Sequence, residues 1–271
     1  MRRALRVDGM AWVMLSALLC VGAVVVTAMS AGHGAMLAAA PTAQALDWQA
    51  ALGPREPWRL WTCAWVHGSV AHLGVNLAGG AVVAFVGWRA RLPPASTAAW
   101  FVAWPGTQLL MAAIGSARLA AVMPHYFGLS GVLQAGVVVL GLSLAWPFAR
   151  AQARLPASLA RAGAGFAAAG ASVTEPSGAA EAPMTVSGTR IESRVSTLVT
   201  RIDERPPRER WIGVAIVAGT LAKVAFEAPW ELAPRASEAL GIAVAPIAHA
   251  CGVGAGALAW AAMRLLDRRV R

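Results

Sequence analysis

Apolar residues run on for about 18 or more positions at several places along this chain, and the polar and charged residues gather in the segments between. A helix rising 1.5 Å per residue crosses the ~30 Å hydrocarbon layer in about 20 residues, so runs of this length read as membrane-spanning helices. The runs do not alternate with period two, and lipid offers backbone groups no hydrogen-bond partner, which leaves helices as the spanning structure. Six spans are predicted, at about residues 10–29, 69–88, 95–114, 128–147, 211–226 and 240–266. Pro105 is expected to kink the third. The first follows Arg2, Arg3 and Arg6, and its apolar core of about 20 residues is longer than the 7–15 of a secretory signal, so it reads as a retained anchor.

Two connections stand out. Residues 31–66 hold Pro41, Pro54, Pro57, Asp47, Trp48, Trp58 and Trp61, an amphipathic loop whose tryptophans suit the membrane interface. Residues 149–210 carry arginines from Arg150 to Arg210 among Pro, Ser, Gly and Ala, with Phe166 as the single aromatic before Trp211. Such a stretch buries too little apolar surface to offset its ordering entropy. It reads as a flexible linker, with a short surface helix near 190–205. The expected organisation is residues 1–148 with four spans and the first loop, 149–210 as linker, and 211–271 with two spans.

Composition removes the soluble alternative: 58% of residues are hydrophobic and only 13% are charged. The net charge of +10 raises the question of nucleic acid, but every basic residue except Lys223 is arginine, and they cluster between and after the spans. That pattern is topology rather than a phosphate-binding face, so the lipid bilayer is the expected partner and nucleic acid is not. The N-terminus, the 88–94 turn, 149–210 and the C-terminus are arginine-rich. Loops 31–66, 116–127 and 227–239 have few basic residues and hold Asp47, Glu56, Glu227, Glu231 and Glu238. The positive-inside rule then places both termini and the linker in the cytoplasm. Cys20, Cys63 and Cys251 form no CxxC pair, and neither a disulfide framework nor a zinc site is expected.

Polar groups inside apolar spans are costly and mark function. His72 and Asn76 are four residues apart, on one helix face. Ser130 opens the fourth span between Gly128 and Gly131, where unpaired N–H groups and the positive helix end favour a developing oxyanion. His249 opens a run containing Gly252 and Gly256, small residues at a spacing that lets another helix pack closely. Spans two, four and six run the same way, so His72, Ser130 and His249 are expected at one level in the outer half of the membrane. His249 is placed about nine residues into its helix. This set suits acyl transfer. Ser130 is the nucleophile and His249 its base, and the Ser130 N–H, His72 and Asn76 hold the oxyanion. No Asp or Glu lies at the right depth in these three spans, so the reading is a dyad. Neither metal nor other cofactor is required.

These motifs, in this order, resemble the rhomboid intramembrane serine proteases. The family's HxxxN, GxSG and AHxxGxxxG patterns are matched by His72–Asn76, Gly128–Gly131 and Ala248–Gly256, and Glu56, Trp58 and Arg59 resemble its ExWR segment. The resemblance implies an all-α membrane protein with a six-transmembrane-helix bundle that cleaves transmembrane protein substrates. It also implies supporting or substrate-lining roles for Gly128, Gly131, Gln134, Gly252, Gly256, Trp58 and Arg59. The 58–62, 128–133 and 222–227 segments look like the rhombosortase branch, thought to process C-terminal Gly-Gly membrane tails in the inner membrane of Gram-negative bacteria. The chain departs from the pattern at Gln134, where many rhomboids have an aromatic and rhombosortases are expected to have a histidine. The resemblance therefore does not supply the group that supports the His249 ring. The 149–210 connection is also much longer than the family's.

Blander readings exist residue by residue. Ser130 alone could be an N-cap, His249 a packed core histidine, and His72 with Asn76 interhelical polar glue. His33 reads as a loop residue and His67 as a brace of the first loop. His125 and Tyr126 read as interface anchors or mouth residues, and Cys251 as packing. At the level of function, a non-catalytic rhomboid-like protein that binds client helices is the alternative. A metal-dependent membrane hydrolase or transporter using His67, His72 and His249 lacks an HExxH motif or paired carboxylates.

Overall fold

A computed structural model describes residues 9–31, 37–52, 55–148 and 207–269. The arginines of the expected N-terminal anchor flank, His33, and residues 149–206 of the expected linker lie outside the described residues. Among the described residues six longer helices form the frame: α1 (Met10–Ser30), α4 (Val70–Arg89), α5 (Pro94–Val122), α6 (Ser130–Ala145), α7 (Pro207–Phe226) and α8 (Pro246–Arg269). The short helices α2 (Pro41–Leu46) and α3 (Arg59–Thr62), with 3-10 turns at Leu37–Ala39 and Cys63–Trp65, build the loop between α1 and α4. A two-stranded antiparallel ribbon, β1 (Arg235–Ser237) and β2 (Ile242–Val244), precedes α8 and is the one sheet among the described residues.

Successive long helices run in opposite directions. A side chain on Gly80 would meet Cys20 of α1 and one on Gly87 would meet Trp12, so α1 and α4 are antiparallel. Indole N–H groups tie these apolar faces together, because a buried indole needs an acceptor. Trp12 Nε1 donates to Val83 O and Trp100 Nε1 to Val132 O, each at 2.9 Å. Ser96 Oγ of α5 bonds Ser143 Oγ of α6 at 2.9 Å, and Trp100 packs on Gly136, which makes α5 and α6 antiparallel. In α6 and α7, Gly141 and Ala145 meet Gly213, and Arg210 Nε donates to Ala145 O. Helices α4, α6 and α8 consequently run in parallel, as expected of the second, fourth and sixth spans.

The outward surface is apolar. Val75, Val82 and Phe85 of α4, Val102 and Leu109 of α5, Met14 and Val21 of α1, and Leu258 of α8 are all exposed. A water-soluble chain rarely shows so much contiguous apolar surface, whereas lipid tails cover it without cost. Among the described residues, four helices are long and apolar enough to cross a membrane: Met10–Ser30, Val70–Arg89, Pro94–Gly115 and Pro246–Arg269. The chain is a helical, membrane-embedded protein. Helix α6, at 16 residues, is shorter than a full span, and α7 carries Arg208, Glu209, Arg210 and Lys223.

Several boundaries differ from expectation for visible reasons. Helix α8 begins at Pro246, not near 240, because residues 240–245 turn and extend into β2 before proline, favoured at a first helical position, starts the helix. The break in α5 falls at Gly115 (φ 133°, ψ 96°), while the backbone at Pro105 stays helical. Helix α7 starts at Pro207, so residues 207–210 of the expected linker are helical.

Candidate active site

Three helix beginnings converge. His72 is the third residue of α4, Ser130 the first of α6, and His249 the fourth of α8. Their common level arises because each sits in or at a first turn, not because His249 lies deep in a longer helix. Unpaired N–H groups and the positive ends of three parallel helices therefore face one region. Ser69 caps α4, its Oγ accepting from His72 N at 3.0 Å, which fixes where the His72 ring leaves the helix.

Glycines set how close the elements come. Gly128 has φ 118°, a conformation side chains avoid, and a Cβ there would lie 2.7 Å from Cε1 of His72. The His72 ring thus packs directly on the backbone two residues before the serine. A Cβ on Gly252 would lie 2.0 Å from Gly131 O, and one on Gly256 2.6 Å from Ala135 O. Backbone meets backbone along this seam, which holds the first turn of α8, with His249, against the first turn of α6, with Ser130. The seam needs the small residues seen in sequence.

Ser130, His72, Asn76, Gln134 and His249 line one cavity of about 540 Å³, together with Val75, Gly79, Val82, Leu133 and Val137. Its wall is completed by Val83, by Lys223 and Glu227 at the end of α7, and by Leu240 and Val244. Ser130 and His72 also line a second cavity of about 280 Å³, bounded by residues 122–127 and strand β2. The serine and His72 stand between the two. Asn76 Nδ2 donates to His67 Nε2 at 3.0 Å, and His67 Nδ1 donates to Trp65 O at 3.2 Å. Burial pushes the His67 imidazolium down to about 4, which keeps its Nε2 an acceptor and so orients the Asn76 amide. The His67 and His72 rings stack at 4.8 Å. His67, read from sequence as a loop brace, thus also positions an oxyanion candidate.

His249 is buried and its Nδ1 lies 2.7 Å from Glu227 Oε2. Its Nε2 is buried without a hydrogen-bond partner among the described residues, and no hydrogen bond joins it to Ser130 Oγ. Base–nucleophile bonds are often loose without substrate. Glu227 also accepts from Lys223 Nζ at 2.6 Å. Burial opposes its ionisation, but the hydrogen bonds and charges of His249 and Lys223 prevail and hold its carboxyl down at about 2. The dyad reading overlooked this carboxylate, which stands one residue beyond α7 and outside the three motif helices. Its signals were the 222–227 segment, which ends on it, and its place four residues after the chain's single lysine. Gln134 lies on the cavity wall, and the group bonded to the His249 ring is Glu227.

Trp58 and Arg59 line neither of these cavities. Arg59 is buried and braces the first loop, donating to Asp47 Oδ1 at 2.8 Å, to Asp47 O and Gln44 O at 2.7 Å, and to Glu56 Oε2 at 2.5 Å. Trp58 is about half exposed. His125 Nδ1 bonds Asp47 Oδ2 at 2.6 Å, and Trp48 pairs with Tyr126 through backbone bonds. The first loop is thereby fastened to the segment leading into Ser130.

No family model matches this chain, and no curated protein or solved structure matches it.

Proposed function

We propose that this protein is an intramembrane serine endopeptidase of the rhomboid kind, with Ser130 as nucleophile and His249 as general base. The observation that carries the reading is the Gly131–Gly252 backbone contact. It brings a serine at one helix start and a histidine at another onto the wall of one cavity that also holds His72 and Asn76. In acylation Ser130 Oγ bonds to the scissile carbonyl carbon as its proton passes to His249 Nε2. The oxyanion is held by the Ser130 N–H, His72 and Asn76. Collapse breaks the C–N bond, and the amine leaves with the proton from His249. Water then hydrolyses the ester by the reverse proton path.

The substrates are proteins anchored by a transmembrane segment, reaching the serine from the lipid through the cavity that Val75, Val82, Leu133 and Val137 line. The motif set argues for the rhombosortase branch and for C-terminal Gly-Gly membrane tails as targets. In this reading α6 and α7 also cross the bilayer, giving six spans in the inner membrane. Arginine placement puts both termini in the cytoplasm and the site toward the periplasm.

Purified Ser130→Ala and His249→Ala variants are expected to lose all cleavage of a membrane-tethered Gly-Gly-tailed protein while keeping their melting temperature. A serine-reactive fluorophosphonate should label Ser130 in the native protein, and chelators should not change the rate. Undiminished cleavage by the Ser130→Ala variant overturns the proposal. A protein that binds such a tail, resists labelling and releases no product is instead a non-catalytic binder of client helices.

A further inference from the structure

The third polar group at His249 is a carboxylate, and its placement goes beyond a serine–histidine pair. An imidazole has two nitrogens, and a base that takes a proton at Nε2 must carry its own proton at Nδ1. Glu227 Oε2 lies 2.7 Å from Nδ1, and Oε1 of the same carboxylate accepts from Lys223 Nζ at 2.6 Å. An ionised carboxylate only accepts, so the proton between Glu227 and His249 belongs to Nδ1. Nε2, the other ring nitrogen, is buried and unpartnered among the described residues.

We infer that Glu227 is a positioning residue that completes a Ser130–His249–Glu227 triad, with Lys223 restraining the carboxylate. This rests on the protease reading for its reaction but on the His249 contact for its geometry. In acylation the proton moves from Ser130 Oγ to Nε2 and is then delivered to the leaving amine. Throughout, Glu227 keeps the Nδ1 proton hydrogen-bonded and offsets the imidazolium charge without itself being protonated. The carboxylate comes from the end of α7, whereas the base sits on α8. Orientation of the base therefore depends on α7 being seated.

The charged and titratable groups around His249 are few. Helix α7 and its end supply Lys223 and Glu227, α4 supplies His72 with His67 stacked behind it, and α6 supplies Ser130 and the uncharged Gln134. Among the described residues lining this cavity, Glu227 is the only anion.

The test uses the full chain in detergent micelles with ¹⁵N-labelled histidine. The native protein is expected to show a low-field proton on His249 Nδ1 that disappears in Glu227→Ala and moves upfield in Glu227→Gln. The kcat should fall about 10²–10⁴-fold in both with KM within about threefold, and Glu227→Asp should recover part of the loss. Absence of the low-field proton in the native protein, which requires no variant, overturns the inference. Native kcat in Glu227→Gln or Glu227→Ala does so as well. Cleavage that needs Ser130 and His249 but not Glu227 removes this inference and leaves the protease reading standing. A native protein that cleaves nothing, but shows the proton and Glu227-dependent fluorophosphonate labelling of Ser130, keeps the triad and removes the protease reading.

Discussion

A methyl group on Gly252 would lie 2.0 Å from the Gly131 carbonyl oxygen, and backbone cannot swing aside as a long side chain can. Gly252→Ala must therefore push the first turns of α6 and α8 apart. Overpacking of this kind costs about 1–3 kcal/mol, and a shift near 1 Å between base and nucleophile costs about 10²-fold in rate. Both a lower melting temperature and a lower kcat are expected, measured against Gly74→Ala, where nothing lies within 4 Å and neither should fall. His67 carries a second prediction. Burial lowers its folded value to about 4 from 6.5, so between those values the unfolded chain binds more protons than the folded one. The neutral ring then contributes stability that is fully present above about pH 6.5 and is lost as pH falls toward 4, up to about 3 kcal/mol. Melting temperatures across pH 4–8 should show that loss in the native protein and a smaller one in His67→Gln.

At the scale of elements, the first loop matters because it is bonded to the entry into α6. Asp47 is buried and is neutralised mainly by Arg59, while His125 and the Trp48–Tyr126 pairing carry the tie to the segment before Gly128. Arg59→Ala leaves that carboxylate buried and without its cation, at a cost of about 3–5 kcal/mol, and Arg59→Lys cannot serve two carboxylates and two carbonyls at once. Thermal denaturation should place Arg59→Ala well below Arg59→Lys, with the half-exposed Trp58→Phe close to native. Element starts show how far sequence could be followed. Ser69, the pair Gly128–Ser130, and the His72–Asn76 spacing are local signals, and α4 and α6 begin where they point. The start of α8 was misjudged because Leu240, Ile242 and Val244 extend an apolar run whose turn into β2 depends on pairing with Arg235–Ser237. Glu227 was missed for a related reason. Its bond to His249 spans 22 residues and exists only once α7 and α8 are packed. Periodicity reports faces of single helices, not which side chains meet between two.

For the whole molecule, the question is whether the 149–206 stretch is needed to assemble the bundle. The ends it joins already touch: Gly213 packs against Ala145 and Gly141, and Arg210 Nε donates to Ala145 O at 3.4 Å. Arg264 of α8 donates to Trp146 O and Pro147 O, so carbonyls just past the end of α6 find their partner on another helix of the bundle. Every residue of the candidate site belongs to residues 9–148 or 207–269. Closing the chain with a shorter connection changes the loop-closure entropy only by about (3/2)RT times the logarithm of the length ratio, under about 2 kcal/mol for a roughly fivefold shortening. Replacing 149–206 by a Gly-Ser linker of about 12 residues is therefore expected to keep Ser130 labelling and kcat within about threefold of native. Loss of both in a protein that retains its helical circular dichroism and cooperative melting would show that the stretch takes part in the chemistry. A change in KM alone would place its role in recruiting substrate, since the serine, its base and the carboxylate behind that base would still be assembled by the helices that remain.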